Sequence, residues 1–83
     1  MMDFDEIASS YDCEMMRIDG FDDCCIGVAE RFGMEPVFAY DREKIIAKLE
    51  KDMSRQNAEE FFEFNIAGAW VGTGTPVFVE RMA

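Results

Sequence analysis

The stretch "PVFAYDREKIIAKLEKDM", residues 36–53, decides the fold, because it carries a strand signal and a helix signal in immediate succession. "PVFAY" is short, rich in β-branched and aromatic residues, and opened by Pro36, all of which favour a strand. Asp41 follows as the N-cap of a helix. The apolar residues of that helix form one stripe and its lysines the opposite face: Ile45, Ile46, Leu49 and Met53 against Lys44, Lys48 and Lys51. The sequence therefore predicts a strand followed directly by an amphipathic helix.

Downstream, Ser54 is placed to cap a third helix that runs to about Ala67. Its apolar stripe is formed by Ala58, Phe61, Phe62, Ile66 and Ala69. "TPVFVE", residues 75–80, then predicts a second strand. Because two helices joined by a short turn form an antiparallel hairpin, we expect this last strand to run antiparallel to "PVFAY".

Upstream, "DDCCIGVAERFG", residues 22–33, predicts a short helix capped by Asp22 and ended at Gly33. "EMMRI", residues 14–18, is a candidate third strand. The expected fold class is α+β, with three short helices packed on a small antiparallel sheet of two or three strands. Residues 1–12 lack apolar periodicity, so we expect an acidic, loose N-terminal segment and a single α+β domain over residues 13–83.

Charge is the strongest compositional signal of this 83-residue chain, whose formal net charge is −10. Residues 1–35 hold ten acids against two bases. A field of that sign repels nucleic acid and anionic membranes and attracts basic protein surfaces. No apolar run approaches the roughly 20 residues of a spanning helix, and the acidic start is unlike a secretory signal. Three cysteines cannot all pair within one chain, so we expect reduced thiols and a cytoplasmic location.

The glycine run "GAWVGTGTP", residues 68–76, superficially suggests a phosphate-binding loop. Such loops follow a strand and open a helix, whereas here a predicted helix precedes the glycines and a strand follows them. Gly68, Gly72 and Gly74 are therefore interpreted as a helix stop and a turn. Asn65 falls within the apolar stripe, so we expect it to be buried and to pin this turn, with ligand contact as the alternative.

Catalytic chemistry finds little support. Histidine is absent, which disfavours most hydrolases, so we expect no enzyme activity and no cofactor. Cys24 and Cys25, with Cys13, do not have the spacing of a zinc site, and Cys25 fits a core position. "DGFDD", residues 19–23, lacks the ligand pattern of an EF-hand, and capping by Asp22 explains it better. Glu59, Glu60 and Glu63 are interpreted as a solvent-exposed helix face, so no catalytic or metal residue is assigned.

Phe64 and Trp70 lie to either side of the apolar stripe of the third helix, at about 100° per residue. One of them covers the sheet or, if exposed, anchors an interface with another protein. We treat both residues as candidate partner-binding residues.

The stretches "YDCEMMRIDGFDDCCIGVAERFGMEPVFAYDREKII" and "AEEFFEFNIAGAWVGTGTPVFVE" resemble a family of small uncharacterised proteins encoded in phage and prophage genomes. The match covers residues 19–79, and "EFFEFNIAGAWVGTGTPVFV" is its most specific part. The resemblance implies a virus-associated intracellular protein and carries no assigned activity. The acidic residues 1–12 lie outside the shared part.

The preferred hypothesis is a small acidic phage-type protein that binds a host or viral protein with a basic surface. In its sharpest form it inhibits a host nucleic-acid-handling defence system, such as a CRISPR complex or a restriction enzyme, by presenting carboxylates in place of phosphates. The carboxylates assigned to that role are Asp3, Asp5, Glu6, Asp12, Glu14, Asp19, Asp22 and Asp23. We expect no direct contact with nucleic acid or membrane.

Two alternatives remain open. A structural or self-assembling viral protein would use Phe64 and Trp70 in a symmetric dimer. A small enzyme or metal-binding regulator would use Cys24, Cys25 and residues 19–23.

Overall fold

A computed structural model describes residues 4–11, 15–69 and 74–82 of the chain. Within these ranges the α-helices and strands are α1 (Phe4–Tyr11), β1 (Cys25–Arg31), β2 (Met34–Asp41), α2 (Arg42–Leu49), α3 (Arg55–Phe61) and β3 (Val77–Val79). A 3₁₀ turn, Asp22–Cys24, precedes β1. Helix α3 continues into a π-helical segment, Phe62–Ile66, and a 3₁₀ turn, Ala67–Ala69. The α+β class, with three α-helices and a three-stranded sheet in the described residues, is confirmed.

The junction between β2 and α2 forms as its sequence predicts. The Lys44 backbone N–H donates to Asp41 Oδ1 at 3.3 Å, so Asp41 caps α2. Asp41 is buried, and its other oxygen, Oδ2, lies 2.9 Å from Arg81 Nε. The buried carboxylate is thus satisfied on both sides and ties the C-terminal residues to the start of α2.

The predicted start of α3 is also confirmed. The Asn57 backbone N–H donates to Ser54 Oγ at 3.2 Å, which satisfies a free amide of the first turn. Of the predicted stripe, Ala58, Phe62 and Ile66 are buried.

The predicted helix over residues 22–33 is wrong. Strand β1 pairs antiparallel with β2, and Arg31 and Met34 are partners across a two-residue turn in which Gly33 has φ 84°. Asp22 begins the 3₁₀ turn and makes no side-chain cap bond. This segment is rich in β-branched residues and cysteine. Pairing with the buried strand β2 stabilises it more than helix propensity alone would stabilise a short isolated helix.

The predicted antiparallel course of the last strand is wrong as well. Strand β3 pairs with β2 in parallel, with Ala39 opposite Val77 and Asp41 opposite Val79. The prediction assumed that the last strand starts beside the end of β2 at Asp41, but β3 starts beside Ala39 and reaches Asp41 only at its own end. The two strands therefore run in the same direction, and the sheet, in the order β1-β2-β3, is mixed.

The segment "EMMRI" forms no strand in its described residues, 15–18. The Met16 backbone N–H instead donates to the Gly74 carbonyl at 3.1 Å. The strand that completes the described sheet with β2 and β3 is β1, not this segment.

The core lies between the sheet and helices α2 and α3. Its buried members are Ile18, Cys24, Cys25, Phe38, Tyr40, Ile45, Ile46, Ala58, Phe62 and Ile66. Phe78 of β3 meets Phe62 edge to face at 4.9 Å between ring centroids. The Tyr40 hydroxyl accepts the Ile18 backbone N–H at 2.9 Å. Sheet, helices and the segment before β1 therefore share one set of buried contacts.

The N-terminal segment 1–12 was expected to have no regular structure, yet it contains α1. Ile7 of this helix is half-buried and packs against the core. Among the described residues, no helix has the length and apolar character needed to span a membrane.

Candidate functional site

The most unusual local feature is the π-helical segment Phe62–Ile66, which follows α3 without a break. A π-helix pairs residues five apart, so it is wider than an α-helix and turns its side chains to new directions. Phe62 is 2 % exposed and Ile66 is buried, whereas Phe64 between them is 79 % exposed. Of the two possibilities that the sequence left open for Phe64, covering the sheet or exposure to solvent, the structure shows exposure.

Asn65 shows the effect of the wider helix on the prediction made from α-helical spacing. It is exposed rather than buried in the apolar stripe, so the expected role of pinning the glycine turn is wrong. The 100° spacing assumed for an α-helix does not hold across a π-helical segment. Asn65 instead lines a groove beside Phe64.

Gly68 is not the predicted helix stop, because it lies within the 3₁₀ turn Ala67–Ala69. A Cβ at position 68 would lie 2.8 Å from the Glu63 carbonyl oxygen, so the close approach of the backbone requires glycine. Gly74, by contrast, has φ 86°, which confirms its predicted role in a turn. Gly72 lies outside the described residues.

In the described part of the chain, two grooves adjoin Phe64. The first groove, of about 430 Å³, is lined by Met53, Asn57, Glu60, Phe61, Phe64 and Asn65. The second groove, of about 550 Å³, is lined by Arg42, Gln56, Glu59, Glu60, Glu63 and Phe64. Glu60 and Phe64 line both, so the Phe64 ring stands as a ridge between them. We call these lining residues together the Phe64 surface.

The apolar part of the Phe64 surface is larger than the sequence indicated. Phe61 was assigned to the buried stripe but is 41 % exposed, and the half-buried Met53 lies in the same groove. The signal in the sequence is the run "FFEF", residues 61–64, which holds more aromatic rings than one buried helix face accommodates.

Ion pairs neutralise most of the carboxylates on the Phe64 surface. Arg42 lies 3.3 Å from Glu63 and 3.3 Å from Glu80. Arg55 Nε donates to Glu59 at 3.0 Å. Glu60 forms no ion pair with any described residue, so it carries the uncompensated charge of both grooves.

Arg55 is also the centre of a wider acidic cluster. Its guanidinium bonds Glu43 at 2.6 and 3.0 Å and lies 3.8 Å from Glu50. The hydrogen bonds from Arg55 hold the pKa of Glu43 below its usual value, and the same bonds raise the pKa of Arg55. These contacts join α2 to α3, and Glu59, which also pairs with Arg55, lines the second groove.

The predicted phosphate-mimicking carboxylates are only partly described. Glu6, Asp19, Asp22 and Asp23 are exposed. Asp23 accepts a hydrogen bond from Lys48 Nζ at 3.0 Å, which lowers the pKa of Asp23. None of these four residues lines the grooves beside Phe64. Asp3, Asp12, Glu14 and Trp70 lie outside the described residues, and so does the side chain of Asp5.

The cysteines that were weighed as metal ligands are core residues. Cys24 and Cys25 are both buried and reduced. Burial raises the pKa of the Cys24 thiol to about 11 and also raises that of Cys25, so both are protonated at neutral pH. In the described ranges no three His, Cys, Asp or Glu side chains are grouped to hold a metal ion, and Cys13 lies outside these ranges.

Comparison of the chain with protein families, with curated proteins and with solved structures finds no match. The resemblance to phage-encoded proteins therefore stays a prediction from the sequence.

Proposed function

We propose that this protein acts by binding another protein, and that the Phe64 surface makes the contact. The observation that carries the proposal is the 79 % exposure of Phe64 on a ridge between two grooves, beside the unpaired carboxylate of Glu60. A large aromatic ring held in water by a rigid helical segment is typical of an interface anchor.

A second exposed aromatic provides a contrast within the same chain. Phe32 is 104 % exposed, but it stands in the two-residue turn between β1 and β2. It lines neither groove of the Phe64 surface. Isolated exposed apolar side chains are common on soluble proteins and need no explanation. Phe64 differs because Phe61 and Met53 extend its apolar surface and carboxylates border it.

The charge of the chain defines the chemistry of the partner. A net charge of −10 accelerates association with a basic surface and opposes association with an acidic one. We therefore propose a partner that presents a basic and partly apolar patch, with which Phe64 and Glu60 make contact together.

More specifically, we propose that the partner is a nucleic-acid-handling protein, since such proteins carry basic grooves for phosphates. Support comes from Asp19 and Asp22, which are exposed and make no ion pair with any described residue. The corresponding biological hypothesis is that this phage-type protein inhibits a host defence system by binding such a partner. The enzyme or metal-binding alternative loses support at Cys24 and Cys25, because both thiols are buried and protonated.

The test is a quantitative co-purification from bacterial lysate with the tagged wild type, Phe64→Ala and Phe32→Ala. We expect at least one basic protein whose recovery falls with Phe64→Ala, is unchanged with Phe32→Ala, and decreases as salt increases. Equal recovery with the two variants would contradict the proposal. Recovery of only the chain itself, lost with Phe64→Ala, would favour the self-assembling alternative instead.

A further inference from the structure

We infer that the second groove of the Phe64 surface receives an arginine side chain of the partner, with its guanidinium stacked on the Phe64 ring and paired with Glu60. The inference rests on the proposed function and assigns the chemistry of the contacting group. It is argued from the ring, the free carboxylate and the charge balance of the groove.

The ring and the carboxylate lie where one cation can use both. Glu60 and Phe64 are four residues apart on one helical run, and both line the second groove. A cation over an aromatic face gains roughly 0.5–1 kcal/mol at exposed sites, and a neighbouring carboxylate adds an ion pair.

The chain already contains the same arrangement once. The Arg42 guanidinium lies 5.2 Å over the Phe62 ring and pairs with Glu63 and Glu80. Phe64 and Glu60 repeat the ring and the carboxylate on the solvent side, and no cation from the described residues occupies them.

The charge balance of the groove favours a cation. Three carboxylates and one guanidinium, that of Arg42, line it. Arg42 is engaged with Glu63, and Glu59 is engaged with Arg55, so the charge left for a partner is that of Glu60. A second cation therefore enters a groove whose own cation is already neutralised.

Arginine fits better than lysine for geometric reasons. A planar guanidinium stacks on a ring and offers a fork of donors to a carboxylate, whereas an ammonium is a strongly hydrated point charge. The groove volume of about 550 Å³ leaves room for the side chain together with part of the partner's backbone.

The experiment is an amide NMR titration of the full chain with Nα-acetyl-arginine amide, compared with the uncharged isostere Nα-acetyl-citrulline amide. We expect saturable shifts at residues 60–64 with the arginine probe and none with citrulline. Glu60→Gln should weaken the arginine affinity by about two- to fivefold, the range of an exposed ion pair. Asp52→Asn is the matched control, because Asp52 is exposed and unpaired among the described residues and lines neither groove beside Phe64.

Three results would overturn the inference: no saturable shift, equal shifts with citrulline, or equal weakening by Asp52→Asn and Glu60→Gln. Co-purification with Phe64→Ala is independent of this titration. A partner that depends on Phe64, combined with a negative titration, would leave the proposed function standing and remove only the arginine assignment.

Discussion

At the scale of single residues, the contrast between Phe62 and Phe64 separates a core residue from a candidate binding residue. The two rings are two positions apart, yet Phe62 packs against Phe78 in the core and Phe64 stands in solvent. Burial of an aromatic side chain stabilises the fold in proportion to the area removed from water, so Phe62 contributes and Phe64 contributes little.

We therefore expect Phe64→Ala to change the free energy of unfolding by no more than about 0.5 kcal/mol, as for most surface substitutions. Phe62→Ala should cost about 3–5 kcal/mol, the usual range for a buried aromatic. Urea denaturation of both variants measures the difference. A loss of several kcal/mol in Phe64→Ala would show that the ring is part of the core and would remove the interface argument.

The capping roles of single residues were predicted more reliably than the pairing of strands. Asp41 and Ser54 cap their helices as expected, because a cap depends only on a side chain and an amide three residues away. Asn65 was mispredicted because its direction depends on the π-helical segment, and nothing in the residue types around it specifies that widening.

At the scale of elements, local signals fail where long-range pairing decides the structure. Residues 25–31 satisfy a helical spacing, but β2 provides a strand partner on which they pack. The direction of β3 depends on where the chain enters the sheet, opposite Ala39 rather than Asp41, and the residue types of the helices do not specify that position. The helices after Asp41 and Ser54 were predictable, whereas the strand that follows Asp22, the pairing partners and the strand directions were not.

Gly68→Ala tests the helical run itself. Helix propensity alone predicts a gain of about 1 kcal/mol from this substitution. The Glu63 carbonyl oxygen, 2.8 Å from the new Cβ, is backbone and cannot move freely, so we expect a loss of about 1–3 kcal/mol instead. Thermal or urea unfolding gives the sign of the change in stability. Amide chemical shifts across residues 62–69 show whether the segment rearranges. A stabilised variant with unchanged shifts would contradict this account of the π-helical segment.

The ion pair between α2 and α3 gives a pH-dependent prediction. Arg55 lowers the pKa of Glu43 in the folded state, so its stabilisation is present above the unfolded pKa of about 4.3 and is lost as the pH falls through the folded value. Glu43→Gln should therefore lower the urea midpoint at pH 7, and the difference from the wild type should vanish by about pH 2.

Glu60→Gln is the control for that experiment, because Glu60 makes no ion pair with a described residue. We expect the midpoint of this variant to follow the wild type at both pH values. A Glu43→Gln difference that persists unchanged in acid would mean that its origin is not the Arg55 pair.

At the scale of the whole molecule, the charges divide into paired cations and unpaired carboxylates. The basic residues Arg42, Lys48, Arg55 and Arg81 each pair with a carboxylate that holds two elements together. Exposed carboxylates such as Glu60, Asp19 and Asp22 remain without an ion-pair partner in the described structure and give the surface its negative field. The cations thus stabilise the fold, and the surplus acids are available to a partner.

The most direct test of the central claim, that the Phe64 surface binds another protein, is photo-cross-linking in bacterial cells. Benzoylphenylalanine is placed at position 64 in one variant and at position 32, an even more exposed aromatic site, in the other. The account predicts a light-dependent adduct with a basic protein from position 64, reduced by Glu60→Gln and by high salt, and no such adduct from position 32. The same adducts from both positions, or none from position 64, would contradict it.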